Sequence, residues 1–88
     1  MHNNSPVVIV TGASRGIGHA IALEFARHGY ACVLAARNSI ALGRTADEVR
    51  ALGAPEPLSI SADLRDRDQP ARVVEQTLAR FGRLDALV

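Results

Sequence analysis

Residues 11–18 read TGASRGIG, and their types and spacing permit two chemistries. As Gly12-Ala13-Ser14-Arg15-Gly16 the stretch fits G-x-S-x-G, the sharp turn that presents a nucleophilic serine in α/β-hydrolases. As Gly12, Gly16 and Gly18 it is a glycine-spaced turn ahead of a helix, where backbone N–H groups and the helix dipole favour an anionic phosphate. A nucleophilic serine needs a histidine base and an acid from farther along the chain. The only later histidines, His19 and His28, lie on the helix that the turn itself starts, so neither can fold back over Ser14. A phosphate-holding turn is the better account. The P-loop and G-x-G-x-x-G patterns both fail, because Ile17 and Ile21 stand where they require glycine.

The turn must be held by the elements around it, and their order is legible. Val7–Thr11 is a β-branched run suited to a strand buried on both faces. The spacing then predicts a helix over Gly16–His28, with Ile17, Ile21 and Phe25 on its buried face, Ala20 beside them, and Gly29 as the stop. Residues 31–36 (ACVLAA) form a second strand. A second helix follows with Leu42, Ala46, Val49 and Leu52 on one stripe, ended by Gly53. Leu58–Ser61 is a third strand. A third helix, capped by Asp66 or Asp68 with Pro70 near its start, presents Val74, Leu78 and Phe81 inward and stops at Gly82. Leu84–Val88 begins a fourth strand. The alternation predicts an α/β fold with a doubly wound parallel sheet of Rossmann type and strand order 3-2-1-4.

Bulk properties remove other function classes. With 88 residues the chain is one small domain or part of one. Net charge is +1 and aromatics are 3%, which gives neither a basic footprint nor stacking platforms for nucleic acid. No apolar run approaches the ~18 residues of a membrane span, and MHNNSP lacks the basic start of a signal peptide. One cysteine, Cys32, excludes an internal disulfide and fits a reducing cytoplasm; within YACVLAA it reads as a small buried hydrophobe. His2, His19 and His28 lack zinc-ligand spacing. We expect no metal, no nucleic acid and no membrane.

VTGASRGIGHAIALEFARHGYACVLAARN resembles the opening of the short-chain dehydrogenase/reductase family, whose glycine motif is T-G-x-x-x-G-x-G. ADLRD is similar to that family's Asp-Leu pair after the third strand, and RFGRLDALV to the run that leads into its Asn-Asn-Ala-Gly motif. The resemblance spans Val7 to Val88. It implies that residues 1–88 are the N-terminal part of one NAD(P)-binding domain, in an enzyme moving hydride between nicotinamide and a carbonyl or secondary alcohol. Reductases of 3-oxoacyl-carrier proteins share TGASRGIG, and so do many relatives. By the same resemblance, Thr11 and Gly12 start the phosphate turn, and Ser14, Arg15, Gly16, Ile17 and Gly18 line pyrophosphate and ribose. Asp63 takes the adenine amine, with Leu64 beside the ring. A homo-oligomer is implied for the complete enzyme.

Cofactor preference turns on Arg37 and Asn38. About twenty residues beyond the glycines, a site for NAD carries an acid for the ribose 2′-hydroxyl. Here the place reads Ala35-Ala36-Arg37-Asn38. A guanidinium suits a 2′-phosphate, and Arg15 can approach from the other side, so NADP(H) is expected over NAD(H). The family's catalytic Ser and Tyr-x-x-x-Lys have no counterpart: the chain has no lysine, and its one tyrosine, Tyr30, follows the first helix. No catalytic residue is assigned, and Asn-Asn-Ala-Gly is expected beyond Val88. The competing reading is a non-catalytic dinucleotide-binding or sensor module.

Overall fold

The computed structural model describes residues 4–88; His2 lies outside them. Its elements are β1 (Val7–Thr11), α1 (Gly16–Arg27), β2 (Ala31–Ala36), α2 (Ser39–Ala51), β3 (Leu58–Ser61), α3 (Gln69–Phe81) and β4 (Ala86–Leu87). The four strands form one sheet in the order β3-β2-β1-β4, and every pairing is parallel. β1 and β2 run in register from Val7 opposite Ala31 to Thr11 opposite Ala35. This is the expected doubly wound order.

Both faces of the sheet are covered, which explains why β1 and β2 read as unbroken apolar runs rather than alternating ones. Val8, Val10, Cys32, Leu34 and Ala36 face one side, against α1 and α2. Val7, Ile9, Ala31, Val33 and Ala35 face the other, where α3 packs through Val73 and Phe81. The fourth strand is shorter than the expected Leu84–Val88. Backbone bonds nonetheless tie the whole stretch to β1, from Asp85 N–H on the Val7 carbonyl (2.9 Å) to Thr11 N–H on the Val88 carbonyl (2.8 Å). The Asp85 carboxylate also accepts the Val7 N–H at 2.8 Å.

Two helix faces differ from expectation. On α1, Ile17 is 80% exposed, Ala20 is exposed, and Ile21 and Phe25 are only partly buried. The buried residues are Ala22 and Ala26. They continue the line of Gly18, where an added Cβ would lie 2.1 Å from the Gly12 carbonyl oxygen. The helix comes so near the backbone beneath it that its inner stripe carries only small residues. On α3 the inner residues are Val73, Thr77 and Phe81, while Leu78 is 46% exposed and Val74 is half-buried. Thr77 can face inward because its hydroxyl donates to the Val73 carbonyl (2.8 Å), so no polar group is left unpaired. On α2, Leu42, Ala46 and Val49 are buried as expected, but Leu52 is the C-cap and 41% exposed. Asp68 occupies the N-cap position of α3 without a side-chain capping bond, and Gly82 ends that helix in a left-handed conformation (φ 75°).

Candidate functional site

The carboxyl ends of β1, β2 and β3 open into one crevice of about 970 Å³. Strand order reverses at β1, which has β2 on one side and β4 on the other, and α/β sheets bind ligands at such points. Thr11, Gly12, Ser14 and Arg15 line the crevice from the first turn, Arg37 and Asn38 from the end of β2, and Asp63 and Leu64 from beyond β3. Eight residues singled out in the sequence thus meet in one place. Gly16, Ile17 and Gly18 are not on its wall; they form the first turn of α1 behind it.

The turn is built to leave donors free. Gly12 and Gly16 have φ of +61° and +62°, a left-handed conformation that strains any residue with a Cβ. Arg15 is the N-cap of α1, extended, with no side-chain bond to the helix and no acid in the first turn. The N–H groups at this helix start are therefore left for an outside acceptor. The Thr11 hydroxyl donates to the Val88 carbonyl at 2.8 Å, bracing β1 against the strand beside it. Among the described residues no histidine is bonded to Ser14. His19 pairs with Glu48 of α2, and His28 with Glu24 of its own helix at 3.2 Å.

Across the crevice the wall is made of side chains. Asn38 accepts the Ile40 and Ala41 N–H groups (3.1 and 3.0 Å) and so caps α2. Arg37 is exposed, while its backbone carbonyl is held by the Ser61 hydroxyl at 3.0 Å. Neither Arg15 nor Arg37 makes a side-chain hydrogen bond or ion pair among the described residues, although Arg27, Arg50, Arg65 and Arg83 all pair with carboxylates. Arg65 is a wall residue the sequence reading missed. Its Nε (3.0 Å) and backbone N–H (3.0 Å) donate to Asp63 Oδ1, and its Nη2 donates to Oδ2 (2.9 Å). The Arg65 guanidinium, then its backbone N–H and the more distant Arg37 charge, hold the Asp63 carboxyl down at about 2. Nothing but proximity to Asp63 in the chain could have pointed to Arg65.

Cys32 is buried, and burial pushes its thiol up to about 11, so it is inert at neutral pH. Tyr30 packs edge-on against Phe25, with ring centroids 4.8 Å apart, and is not on the crevice wall. Among the described residues no cluster of three or more His, Cys, Asp or Glu could hold a metal, and no helix is long and apolar enough to cross a membrane.

Residues 6–88 match the family model for short chain dehydrogenase. An 11-beta-hydroxysteroid dehydrogenase A of Sesamum indicum is 46% identical over 82 residues, which cover 93% of this chain and 24% of that protein. Among solved structures, an alcohol dehydrogenase from Thermococcus sibiricus complexed with 5-hydroxy-NADP is similar at a TM-score of 0.88 and 36% identity, over 96% of this chain and 36% of that one. L-sorbose reductase from Gluconobacter frateurii, complexed with NADPH and L-sorbose, is similar at 0.88 and 34%, over 99% of this chain and 33% of that one. The chain thus spans about a quarter of the curated relative's length.

Proposed function

Since the chain belongs to the short-chain dehydrogenase family, we propose that it is the NADP(H)-holding part of an oxidoreductase acting on a carbonyl or secondary alcohol. One observation carries the choice of cofactor. At the end of β2, where an acid would hold the ribose of NAD, stands the exposed Arg37, and Arg15 lines the same crevice from the first turn. Two guanidinium groups that make no hydrogen bond or ion pair among the described residues make a natural seat for a 2′-phosphate. The complexes of the similar alcohol dehydrogenase and L-sorbose reductase with NADP-type cofactors support the same reading.

The residues present fit such a cofactor. The uncapped start of α1 and the left-handed Gly12 and Gly16 hold the pyrophosphate against backbone N–H groups. Asp63, kept ionised by Arg65, has an acceptor site to spare that would take the adenine amine, and Leu64 on the same crevice wall would lie beside the ring. When bound, the nicotinamide donates or accepts the hydride. This chain's residues bind and orient the cofactor. Among the described residues both histidines are paired elsewhere, His19 with Glu48 and His28 with Glu24, which speaks against a hydrolase reading of Ser14. We place the enzyme in the cytoplasm, as a homo-oligomer that binds neither nucleic acid nor membrane.

Titration of NADPH and NADH into the full-length protein and its Arg37→Asp variant tests the proposal. NADPH should bind more tightly to the unmodified protein. Loss of one charge-assisted contact, ~1.5–3 kcal/mol, should weaken NADPH by roughly 10- to 150-fold in the variant. Equal affinities that Arg37→Asp leaves unchanged would show Arg37 to be a solvated surface charge. Binding of NADPH without any turnover of carbonyl substrates would favour the non-catalytic module.

A further inference from the structure

The wall of the crevice is held from behind by a residue that does not touch it. Thr45 lies in the middle of α2, 1% exposed, and is one of two buried polar side chains among the described residues. Its hydroxyl faces two carbonyls, Ala13 at 3.0 Å and Ala41, one turn back in its own helix, at 3.4 Å. A hydroxyl has one proton, and the shorter contact takes it. The bond therefore leaves the helix and crosses to the first turn, thirty-two residues away.

Ala13 is the fully buried residue of that turn, between Gly12 and Ser14, both on the crevice wall. Its N–H donates to the Ala35 carbonyl at 3.2 Å. With the Thr45 bond, both polar groups of Ala13 are tied to elements outside the turn, the end of β2 and the middle of α2. On the other flank, Gly12 is pressed against Gly18 at the start of α1. The turn is consequently clamped at adjacent residues, and its free N–H groups inherit their direction from that clamp. We propose that Thr45 is a positioning residue for the anion-binding turn: its hydroxyl fixes the Ala13 carbonyl inward so that the N–H groups beside it face the crevice. This rests on the dinucleotide reading above.

Thr45→Val keeps the volume and branching of the side chain but removes the donor, leaving the Ala13 carbonyl buried and unpaired. The turn can then relieve that carbonyl only by rotating it toward water, which misdirects its own N–H groups. The test uses two probes on the full-length protein. ADP reaches the turn through its phosphates, whereas adenosine reaches only the Asp63 side. In Thr45→Val, ADP should bind about 10-fold more weakly, the equivalent of ~1.4 kcal/mol, with adenosine unchanged. Thr45→Ser, which restores the hydroxyl, should recover ADP affinity. Unchanged ADP binding overturns the proposal, as does an equal loss for ADP and adenosine, or a Thr45→Ser protein as weak as Thr45→Val. Should Thr45→Val fail to fold, NMR of the unmodified protein decides: a Thr45 hydroxyl proton held by a buried carbonyl exchanges slowly enough to be seen, and a fast-exchanging one overturns the proposal. An unmodified protein that binds neither ADP nor adenosine removes the dinucleotide site itself, and the positioning role with it.

Discussion

Helices α1 and α2 begin at the same edge of the sheet, one after β1 and the other after β2, yet their first turns are finished in opposite ways. The start of α2 is closed by Asn38, which takes up two of its N–H groups. The start of α1 has no side-chain cap, and left-handed glycines lead into it. Every helix start leaves donors unsatisfied, so a cap is the ordinary solution and its absence leaves the helix dipole available to an anion. The same fold element is made structural in one place and receptive in the other by the residue that precedes it.

The contrast extends inside the helices, and the most disruptive test lies there. Gly18 in α1 has the Gly12 carbonyl 2.1 Å from where a Cβ would sit, and that neighbour is backbone that cannot swing aside. Gly18→Ala should therefore destabilise the protein by at least the ~1–3 kcal/mol of an overpacked core, and abolish dinucleotide binding. Chemical denaturation and cofactor titration together check it; a folded variant with ordinary affinity would mean that α1 does not depend on close approach. Removal of the cap from α2 should have a smaller effect on stability. Asn38→Ala is expected to cost ~1 kcal/mol in denaturation, the usual penalty for a lost N-cap.

Gly43, in the interior of α2, is the counterpart of Gly18, with nothing within 4 Å of an added Cβ. Gly43→Ala should raise stability by ~0.4–1 kcal/mol through the unfolded chain's lost freedom, without altering cofactor affinity. A destabilised Gly43→Ala protein would erase the distinction between the two helices. The smallest effect expected is that of acid on Asp63, because its partner Arg65 is largely exposed. Arg65 lowers the carboxyl from 3.8 to about 2, so the pair contributes in full above pH 3.8 and is lost as pH falls through about 2. NMR titration of the Asp63 carboxyl should find the depressed value, and Arg65→Ala should return it toward 3.8.

The glycine turn and the alternation of strands and helices could be read from local pattern, while the strand order followed from Rossmann-type topology and the places of Asp63 and Leu64 from the family resemblance. The inner faces of α1 and α3 could not. On α1, apolar residues occur all round, and the largest of them, Ile17, Ile21 and Phe25, form the most conspicuous stripe. The true inner stripe of Gly18, Ala22 and Ala26 is set by how near the helix lies to the strand-turn backbone, a distance no periodicity encodes. On α3 and α2, buried Thr77 and Thr45 look polar in sequence and become core residues only once a carbonyl is found for each hydroxyl. Arg65 belongs with them: its three bonds to Asp63 depend on the turn after β3, which the sequence shows only as a break between strand and helix.

The single cysteine offers a clock for the core. Cys32 is fully buried on β2 beneath α1, with its sulfur 3.8 Å from the Ala22 carbonyl and its thiol pushed up to about 11. A thiol-directed reagent can reach it only when α1 lifts from the sheet, and the released thiol then returns toward its ordinary reactivity. The labelling rate of unmodified protein consequently measures how often that face opens. Because α1 also carries the uncapped anion-binding turn, a dinucleotide that engages it should slow the reagent in proportion to occupancy, without any label near the ligand.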